Sequence, residues 1–234
     1  MANSILLVHG AWHGAWCWAS VVKILEAKGV ETRAVDLPGH GSRRALAPNV
    51  GLDDYANAVV EAGLGMSTPP LLVGHSMGGV VISAAAERKP DAFRSLLYLT
   101  AFLPLPGQTL MDITARQIPI GRLDGGEVHL DDQEQARNLF YNDCPAQISN
   151  WALSKIQPQP VRPVTEKVEL TATRFGTLSR DYIVCVRDQA IAPDFQREMA
   201  VAGSCRKIID LNAGHSPMLS CPAELVEKII QATG

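Results

Sequence analysis

The sequence predicts an α/β protein whose sheet is mostly parallel and doubly wound, with an inserted, mainly helical cap. Strand-length apolar runs alternate with helix-length amphipathic segments near both ends of the chain. The runs are apolar throughout, as in strands that helices cover on both faces. The alternation stops after Pro104 and resumes near Leu178. We therefore expect a core domain formed by residues 1–103 and 179–234, and a cap formed by residues 104–178.

The elements of the first half follow from apolar runs and helical periodicity. Gly29 is expected to end the first helix. The apolar residues 52, 55, 56, 59 and 60 share one helix face, which predicts an amphipathic helix there. The predicted strands run from Ser4 to Val8, from Val30 to Val35, from Leu71 to the turn at Gly74, and from Phe93 to Ala101. The predicted helices end at about Lys28, at Leu64 and at Ala86.

The second half contains the cap and the return of the α/β alternation. In the cap we expect short polar helices at about Asp131 to Tyr141 and Pro145 to Ile156, and no strong strand. Large apolar side chains at helical spacing favour a packed cap over a flexible linker. The alternation then continues with a strand from Tyr182 to Val186, a helix from Pro193 to Ala202, a strand from Arg206 to Leu211 and a helix from Pro222 to Ala232.

Composition and charge exclude several classes of function. Hydrophobic residues make up 47% of the 234 residues and charged residues 19%, which is typical of a soluble globular protein. A net charge of -3 without a dense cluster of Lys and Arg argues against nucleic acid or a membrane as partner. The five cysteines lack metal-binding spacing, so we expect free thiols and no metal. The apolar run from Ile5 to Val8 is too short for a signal helix, so we expect a cytoplasmic protein.

Chemistry is indicated most strongly at Gly74-His75-Ser76-Met77-Gly78, which has the pattern G-x-S-x-G between a predicted strand and a predicted helix. A serine at the apex of such a turn needs small flanking residues, because bulky side chains would collide with the neighbouring strand or helix. The start of the following helix directs free backbone N–H groups towards an anion that forms there. We interpret Ser76 as a catalytic nucleophile.

A nucleophilic serine needs an imidazole base and an acid that orients it. His215 follows Ser76 in the chain and lies in a loop directly after a predicted strand, while His129 lies in the cap. Asp188 lies just beyond the strand that ends near Val186, whereas no acid follows the strand that ends at Ala101. Asp188 and His215 are therefore the predicted catalytic partners.

The remaining predicted site residues lie on the loop after the first strand and on the cap. The oxyanion hole is expected to combine the N–H groups of Met77 and Ala11. Gly10 permits close approach of the backbone, and we predict that Gly10, Trp12 and Trp151 contact substrate. His9 and His75 are interpreted as loop braces, Asp36 and His40 as structural, and Trp16 and Trp18 as either pocket lining or core.

Four blocks of the chain resemble the plant methylesterase and hydroxynitrile lyase branch of the α/β-hydrolases. They are residues 8–18, 74–79, 182–196 and 214–220. The resemblance implies an α/β-hydrolase fold, a triad of Ser76, Asp188 and His215, an oxyanion hole at Ala11 and Met77, and no cofactor. Dimers are frequent in this branch, so a homodimer is an expectation here.

Two positions distinguish the lyases of this branch from its esterases. The lyases usually carry a threonine where this chain has Gly10 and a lysine where it has Ser216. Without a cation beside the histidine, cyanide release loses its electrostatic support. We therefore expect a serine carboxylesterase that acts on a small or aromatic carboxylic ester, such as a methyl ester or a xenobiotic ester. The alternatives are a hydroxynitrile lyase and a ligand-binding receptor on a hydrolase scaffold.

Overall fold

A six-stranded, wholly parallel sheet forms the centre of the protein. The computed structural model describes residues 4–115 and 121–232. The strands of this sheet have the spatial order β2-β1-β3-β4-β8-β9. They are β1 (Ser4–Val8), β2 (Glu31–Val35), β3 (Leu71–Ser76), β4 (Ser95–Ala101), β8 (Arg180–Cys185) and β9 (Ile208–Leu211). The predicted doubly wound sheet is confirmed.

Helices cover both faces of the sheet. One face packs against α2 (Leu52–Leu64), α3 (Gly78–Arg88) and α8 (Pro193–Ala202), and the other packs against α1 (Ala19–Ala27) and α10 (Pro222–Ala232). Successive residues of β1 belong to opposite faces, since Leu6 and Val8 lie in one core cluster and Ile5 and Leu7 in the other. All four side chains are fully buried. This burial on both sides explains why the strands are continuous apolar runs in the sequence.

The cap segment, residues 104–178, contains the elements between β4 and β8. Its helices are α4 (Leu110–Thr114), α5 (Gln133–Phe140), α6 (Ala146–Leu153) and α7 (Arg162–Thr165). It also holds a small antiparallel sheet whose strands have only two or three residues, and no pattern in the sequence predicted it. The strands are β5 (Arg122–Asp124), β6 (Glu127–His129) and β7 (Gln159–Pro160). The division into core and cap domains stays a prediction.

The short strands of the cap were not predicted, because a strand of two or three residues is too short to show an alternation of apolar and polar side chains. A turn signal was nevertheless present at Gly125-Gly126, between β5 and β6. Both glycines have positive φ angles, 56° and 81°, as the two central residues of a type I′ hairpin turn require. A second short element, α9 (Pro217–Ser220), follows the loop of His215 and was also not predicted.

The order of the strands determines where a site can form. From β1 the chain continues to β2 on one side and then to β3 on the other, so the direction of winding reverses between β1 and β3. The carboxyl ends of strands at such a point diverge and leave a crevice for a ligand. Ser76 ends β3, and Gly10 and Ala11 follow β1, so the predicted nucleophile and oxyanion loop lie at this crevice.

Candidate active site

The turn around Ser76 has the strained geometry that its sequence predicts. Ser76 has φ = 54°, in the left-handed region that non-glycine residues rarely occupy. A Cβ atom on Gly74 would lie 2.6 Å from the Gly78 carbonyl oxygen, and one on Gly78 would lie 2.8 Å from the His9 carbonyl oxygen. Both distances are too short for any side chain. The flanking glycines therefore allow β3, α3 and the loop after β1 to converge on Ser76.

Asp188 and His215 form a buried pair beside this turn. Nδ1 of His215 lies 2.7 Å from Oδ2 of Asp188, and both residues are at most 3% exposed. A carboxylate accepts hydrogen bonds, so Nδ1 of the neutral imidazole carries the proton and Nε2 keeps its lone pair. That tautomer is the one a general base needs.

Four further donors hold the Asp188 carboxylate in place. Oδ1 accepts the N–H groups of Ala190 at 2.6 Å and Ile191 at 3.0 Å. Oδ2 accepts the Thr100 hydroxyl and, at 3.3 Å, the Gln196 side-chain amide. Multiple donors stabilise the charged carboxylate and fix its orientation. Thr100 and Gln196 were missed in the sequence, although Thr100 is the last residue but one of the strand after which an acid was sought.

His75, the residue before Ser76, contacts His215 directly. Its Nε2 donates to the His215 carbonyl oxygen at 2.8 Å, and the two ring centroids are 4.8 Å apart. Burial lowers the pKa of His75 well below its ordinary value, so the ring is neutral and adds no positive charge beside His215. The hydrogen bond connects the loop of His215 to the nucleophile turn, as the prediction of a bracing role requires.

The predicted oxyanion loop packs closely on Ser76. A Cβ atom on Gly10 would lie only 2.8 Å from Cβ of Ser76, so a larger residue there would displace the loop. Among the described residues, no hydrogen-bond acceptor is found for the N–H of Ala11 or of Met77. Two unpaired donors next to a nucleophile are what an oxyanion hole needs.

Aromatic side chains form an apolar wall over His215. Phe140, at the end of α5, has its ring centroid 5.5 Å from that of His215 and 5.6 Å from that of Trp12. Trp12 is half-buried, and its Nε1 donates to the Val128 carbonyl oxygen in the cap at 2.9 Å. Periodicity alone could not show that α5 turns Phe140 towards the core. The contact of Trp12 with substrate stays a prediction.

The other predicted aromatic residues lie further from the proposed catalytic groups. Trp151 is 41% exposed on α6, and among the described contacts its ring faces Trp16, 5.2 Å away. Its role in substrate binding stays a prediction that no described contact with Ser76, Asp188 or His215 supports. Trp18 is fully buried in a core cluster, in agreement with the interpretation of this residue as core.

Asp36 and His40 have structural partners, in agreement with their interpretation. The Asp36 carboxylate accepts the N–H groups of Ala15 at 2.7 Å and Ser42 at 2.9 Å. Nε2 of His40 is 3.1 Å from the Tyr55 hydroxyl. These bonds shape the loop after β2 and bring no additional group to Ser76.

The part of the chain that the structure describes contains neither a metal site nor a membrane-spanning helix. Within residues 4–115 and 121–232, no group of three or more His, Cys, Asp or Glu side chains could hold a metal ion. In the same ranges, every helix is too short or too polar to cross a bilayer. All five cysteines are free thiols.

Comparison with known proteins identifies the family of the chain. Residues 5–228 match the alpha/beta hydrolase family. Methylesterase 7 of Arabidopsis thaliana is 30% identical over 98% of this chain and 95% of its own length. The solved structure of a pyrethroid hydrolase from Sphingobium faniae JZ-2 has 29% identity and a TM-score of 0.87, and covers 97% of this chain and 96% of that one. Polyneuridine aldehyde esterase, at 21% identity and a TM-score of 0.89 over the whole of both chains, supports the fold alone.

The protein belongs to the α/β-hydrolase family and is a carboxylic ester hydrolase. Within that family it belongs to the branch of the plant methylesterases, as the four sequence blocks predicted.

Proposed function

We propose that the protein cleaves its ester through a triad of Ser76, His215 and Asp188 and a covalent acyl-enzyme. The observation that carries this proposal is the buried 2.7 Å contact between His215 and Asp188 next to the strained turn of Ser76. The contact fixes the imidazole tautomer, and the turn exposes the hydroxyl at the crevice of the sheet.

In the acylation half of the reaction, Nε2 of His215 takes the hydroxyl proton while Oγ of Ser76 attacks the ester carbonyl carbon. The negative charge on the resulting tetrahedral oxygen is stabilised by the N–H groups of Ala11 and Met77. The imidazolium, paired with Asp188, then donates the proton to the leaving alkoxide, so that an alcohol departs and the acyl group stays on Ser76.

Deacylation repeats these steps with water in place of the serine. His215 removes a proton from water, the hydroxide attacks the acyl carbon, and the oxyanion forms at the same two N–H groups. Collapse of this intermediate breaks the bond to Oγ, and His215 returns the proton to Ser76. The products are one carboxylic acid and one alcohol, with no cofactor.

The aromatic wall supports an ester with an apolar group. Phe140 packs beside His215, the half-buried Trp12 packs on Phe140, and Gly10 lets the loop after β1 approach Ser76 closely. Relatives named methylesterase and pyrethroid hydrolase support the same class. We therefore expect methyl esters of aromatic acids, or aryl-containing xenobiotic esters, to be the best substrates.

The test compares wild type, Ser76→Ala and Ser95→Ala on a panel of methyl, short-chain and aryl esters. Ser95 is the matched control because it is a buried serine at the opposite, amino end of β4. We expect wild type and Ser95→Ala to hydrolyse aryl-containing esters, and Ser76→Ala to lose about 10⁴-fold or more in kcat.

Labelling with a fluorophosphonate, followed by peptide mass analysis, identifies the nucleophile independently. Attachment at Ser76 is expected. Full activity of Ser76→Ala, or attachment at another residue, would overturn the triad. Cyanide release from an aromatic cyanohydrin without ester hydrolysis would favour the lyase, although the position that carries a lysine in lyases is the fully buried Ser216 here. Ligand binding without turnover would favour a receptor.

A further inference from the structure

The loop that carries the predicted oxyanion donor is a strained turn. The His13 N–H donates to the Gly10 carbonyl oxygen at 3.4 Å, which closes a four-residue turn. Trp12, at its third position, has φ = 63°, where such turns usually carry glycine. A bulky residue in this conformation persists only when surrounding contacts hold it there. The contacts that hold this turn therefore control the direction of the Ala11 N–H.

Histidines fix the two carbonyl groups that flank this N–H. The Ala11 N–H shares a rigid, planar peptide unit with the Gly10 carbonyl. The Gly10 oxygen accepts from Nδ1 of His9 at 2.8 Å, in addition to the His13 N–H. The oxygen of the next peptide, that of Ala11, accepts from Nδ1 of His13 at 2.8 Å. His13 therefore contacts both peptide units that surround the donor.

The cap determines the state of the His13 ring. Since Nδ1 donates to the Ala11 oxygen, Nε2 of the neutral ring is an acceptor, and the Tyr141 hydroxyl donates to it at 2.8 Å. Burial lowers the pKa of His13 to about 4, which keeps the ring neutral near pH 7. Tyr141 and His13 are at most 2% exposed, so water cannot easily replace either partner.

Two more hydrogen bonds from the cap hold the same turn. The Gln157 N–H donates to the Trp12 carbonyl oxygen at 2.9 Å, and Nε1 of Trp12 donates to the Val128 carbonyl oxygen at 2.9 Å. With the Tyr141 hydroxyl, three cap segments contact a turn of only four residues. Neither bond reaches the Ala11 carbonyl, which the His13 ring alone contacts among the described side chains.

We propose that Tyr141 and His13 are positioning residues that align the Ala11 N–H of the oxyanion hole. The Tyr141 hydroxyl holds His13 in the tautomer and orientation that fix the Ala11 carbonyl, and thereby joins the cap to the oxyanion hole. This inference rests on the proposed function, since it assigns Ala11 the role described above. Neither side chain touches the reacting atoms.

The test is Tyr141→Phe, which removes a single hydroxyl and keeps the ring. Because the oxyanion is absent from the bound ester and forms only on the way to the tetrahedral intermediate, we expect kcat to fall about tenfold or more while KM stays within about twofold. A boronic acid that forms a tetrahedral adduct with Ser76 should bind more weakly by the same factor. The shape of the kcat/KM profile against pH should not change, because the base is untouched.

Tyr98→Phe is the matched control. The Tyr98 hydroxyl is fully buried and lies 2.7 Å from Oγ of Ser83, away from the oxyanion loop. Both variants lose one buried hydroxyl, so melting temperatures show whether they are destabilised alike. Equal kcat values for the two variants, or a loss in Tyr141→Phe that appears in KM alone, would overturn the proposal. If the wild-type protein itself hydrolysed no ester, the proposed function would be overturned instead. Failure of the proposed function can therefore be distinguished from failure of the positioning role of Tyr141.

A pair of His13 variants tests which contact matters. In His13→Asn, the side-chain amide nitrogen occupies the place of Nδ1 and can still donate to the Ala11 carbonyl oxygen. In His13→Gln, the longer side chain reaches the place of Nε2 and loses that bond. We expect His13→Asn to retain at least several-fold more kcat than His13→Gln. The reverse order would show that the Ala11 carbonyl is not held through His13.

Discussion

At the scale of single residues, the hydroxyl of Thr100 is a feature that the reaction scheme alone does not require. Thr100 is fully buried at the end of β4, with φ = 37°, a rare conformation for a β-branched residue. Its hydroxyl donates to the same Asp188 oxygen that pairs with His215. Such strain at a buried polar residue indicates a functional constraint. Thr100 therefore supports the orientation of Asp188.

We expect Thr100→Val to lower kcat/KM about fivefold and the free energy of unfolding by about 1–3 kcal/mol, because a buried acceptor loses a donor. Valine keeps the shape of threonine, so packing changes little. Steady-state kinetics and urea unfolding measure the two effects. Thr100→Ser restores the hydroxyl and should recover most of the activity; a serine variant as impaired as the valine variant would contradict the role of the hydroxyl.

At the scale of elements, the turn between α5 and α6 joins the two loops that carry Asp188 and His215. Oδ2 of Asp143 accepts the Gly214 N–H at 2.6 Å and lies 3.5 Å from a guanidinium nitrogen of Arg187. Nδ2 of Asn142 donates to the Arg187 carbonyl oxygen at 3.0 Å. Gly214 directly precedes His215 in the chain, and Arg187 directly precedes Asp188. The cap thus braces both loops as well as the oxyanion turn.

Asp143→Ala should lower kcat by about tenfold and reduce the free energy of unfolding by about 1–3 kcal/mol, since the buried Gly214 N–H loses its acceptor. Asp132→Ala is the control: Asp132 caps α5 by accepting the Gln135 N–H at 2.9 Å and has no bond to either loop. The control should lose stability and keep kcat. Equal kcat values in the two variants would show that the turn does not position the loops.

At the scale of the whole molecule, four buried histidines surround the crevice in addition to His215. They are His9, His13, His40 and His75. Burial lowers the pKa of His9 and of His13 to about 4, and the pKa of the other two well below the ordinary value. In the unfolded chain, each imidazole returns to a pKa of about 6.5. Folding therefore requires four neutral rings.

This difference predicts stability that falls as the pH decreases. Between pH 6.5 and about pH 4 the unfolded chain binds more protons than the folded one, so acid favours unfolding. From pH 7 to pH 5.5 each of the four rings should lower the free energy of unfolding by about 1 kcal/mol, or about 4 kcal/mol together. Urea unfolding at several pH values measures this slope. Constant stability over the interval would show that the folded protein takes up as many protons as the unfolded chain, so that the four rings would not stay neutral.

Most of the core could be predicted because its signals are local. A strand buried on both faces must be apolar throughout, and a strained serine turn must be flanked by glycines, so β1, β3 and Ser76 are readable from the chain alone. Asp188 and His215 were selected because both follow strands, and parallel strands end at one edge. The small sheet of the cap was missed because its strands are too short to show a pattern. Thr100 was missed because no sequence pattern distinguishes a threonine that donates to a carboxylate from any other threonine.

The fold class, the family and the pair of Asp188 and His215 are readable from the chain alone, since each depends on short patterns and chain order. The cap residues that contact the core become visible only in the folded protein. Tyr141 lies 128 positions from His13, and Asp143 lies 71 positions from Gly214. The direction in which a short helix turns its side chains depends on packing against distant elements. No local pattern encodes that packing, so the contacts between the cap and the turn of residues 10–13 appear only in three dimensions.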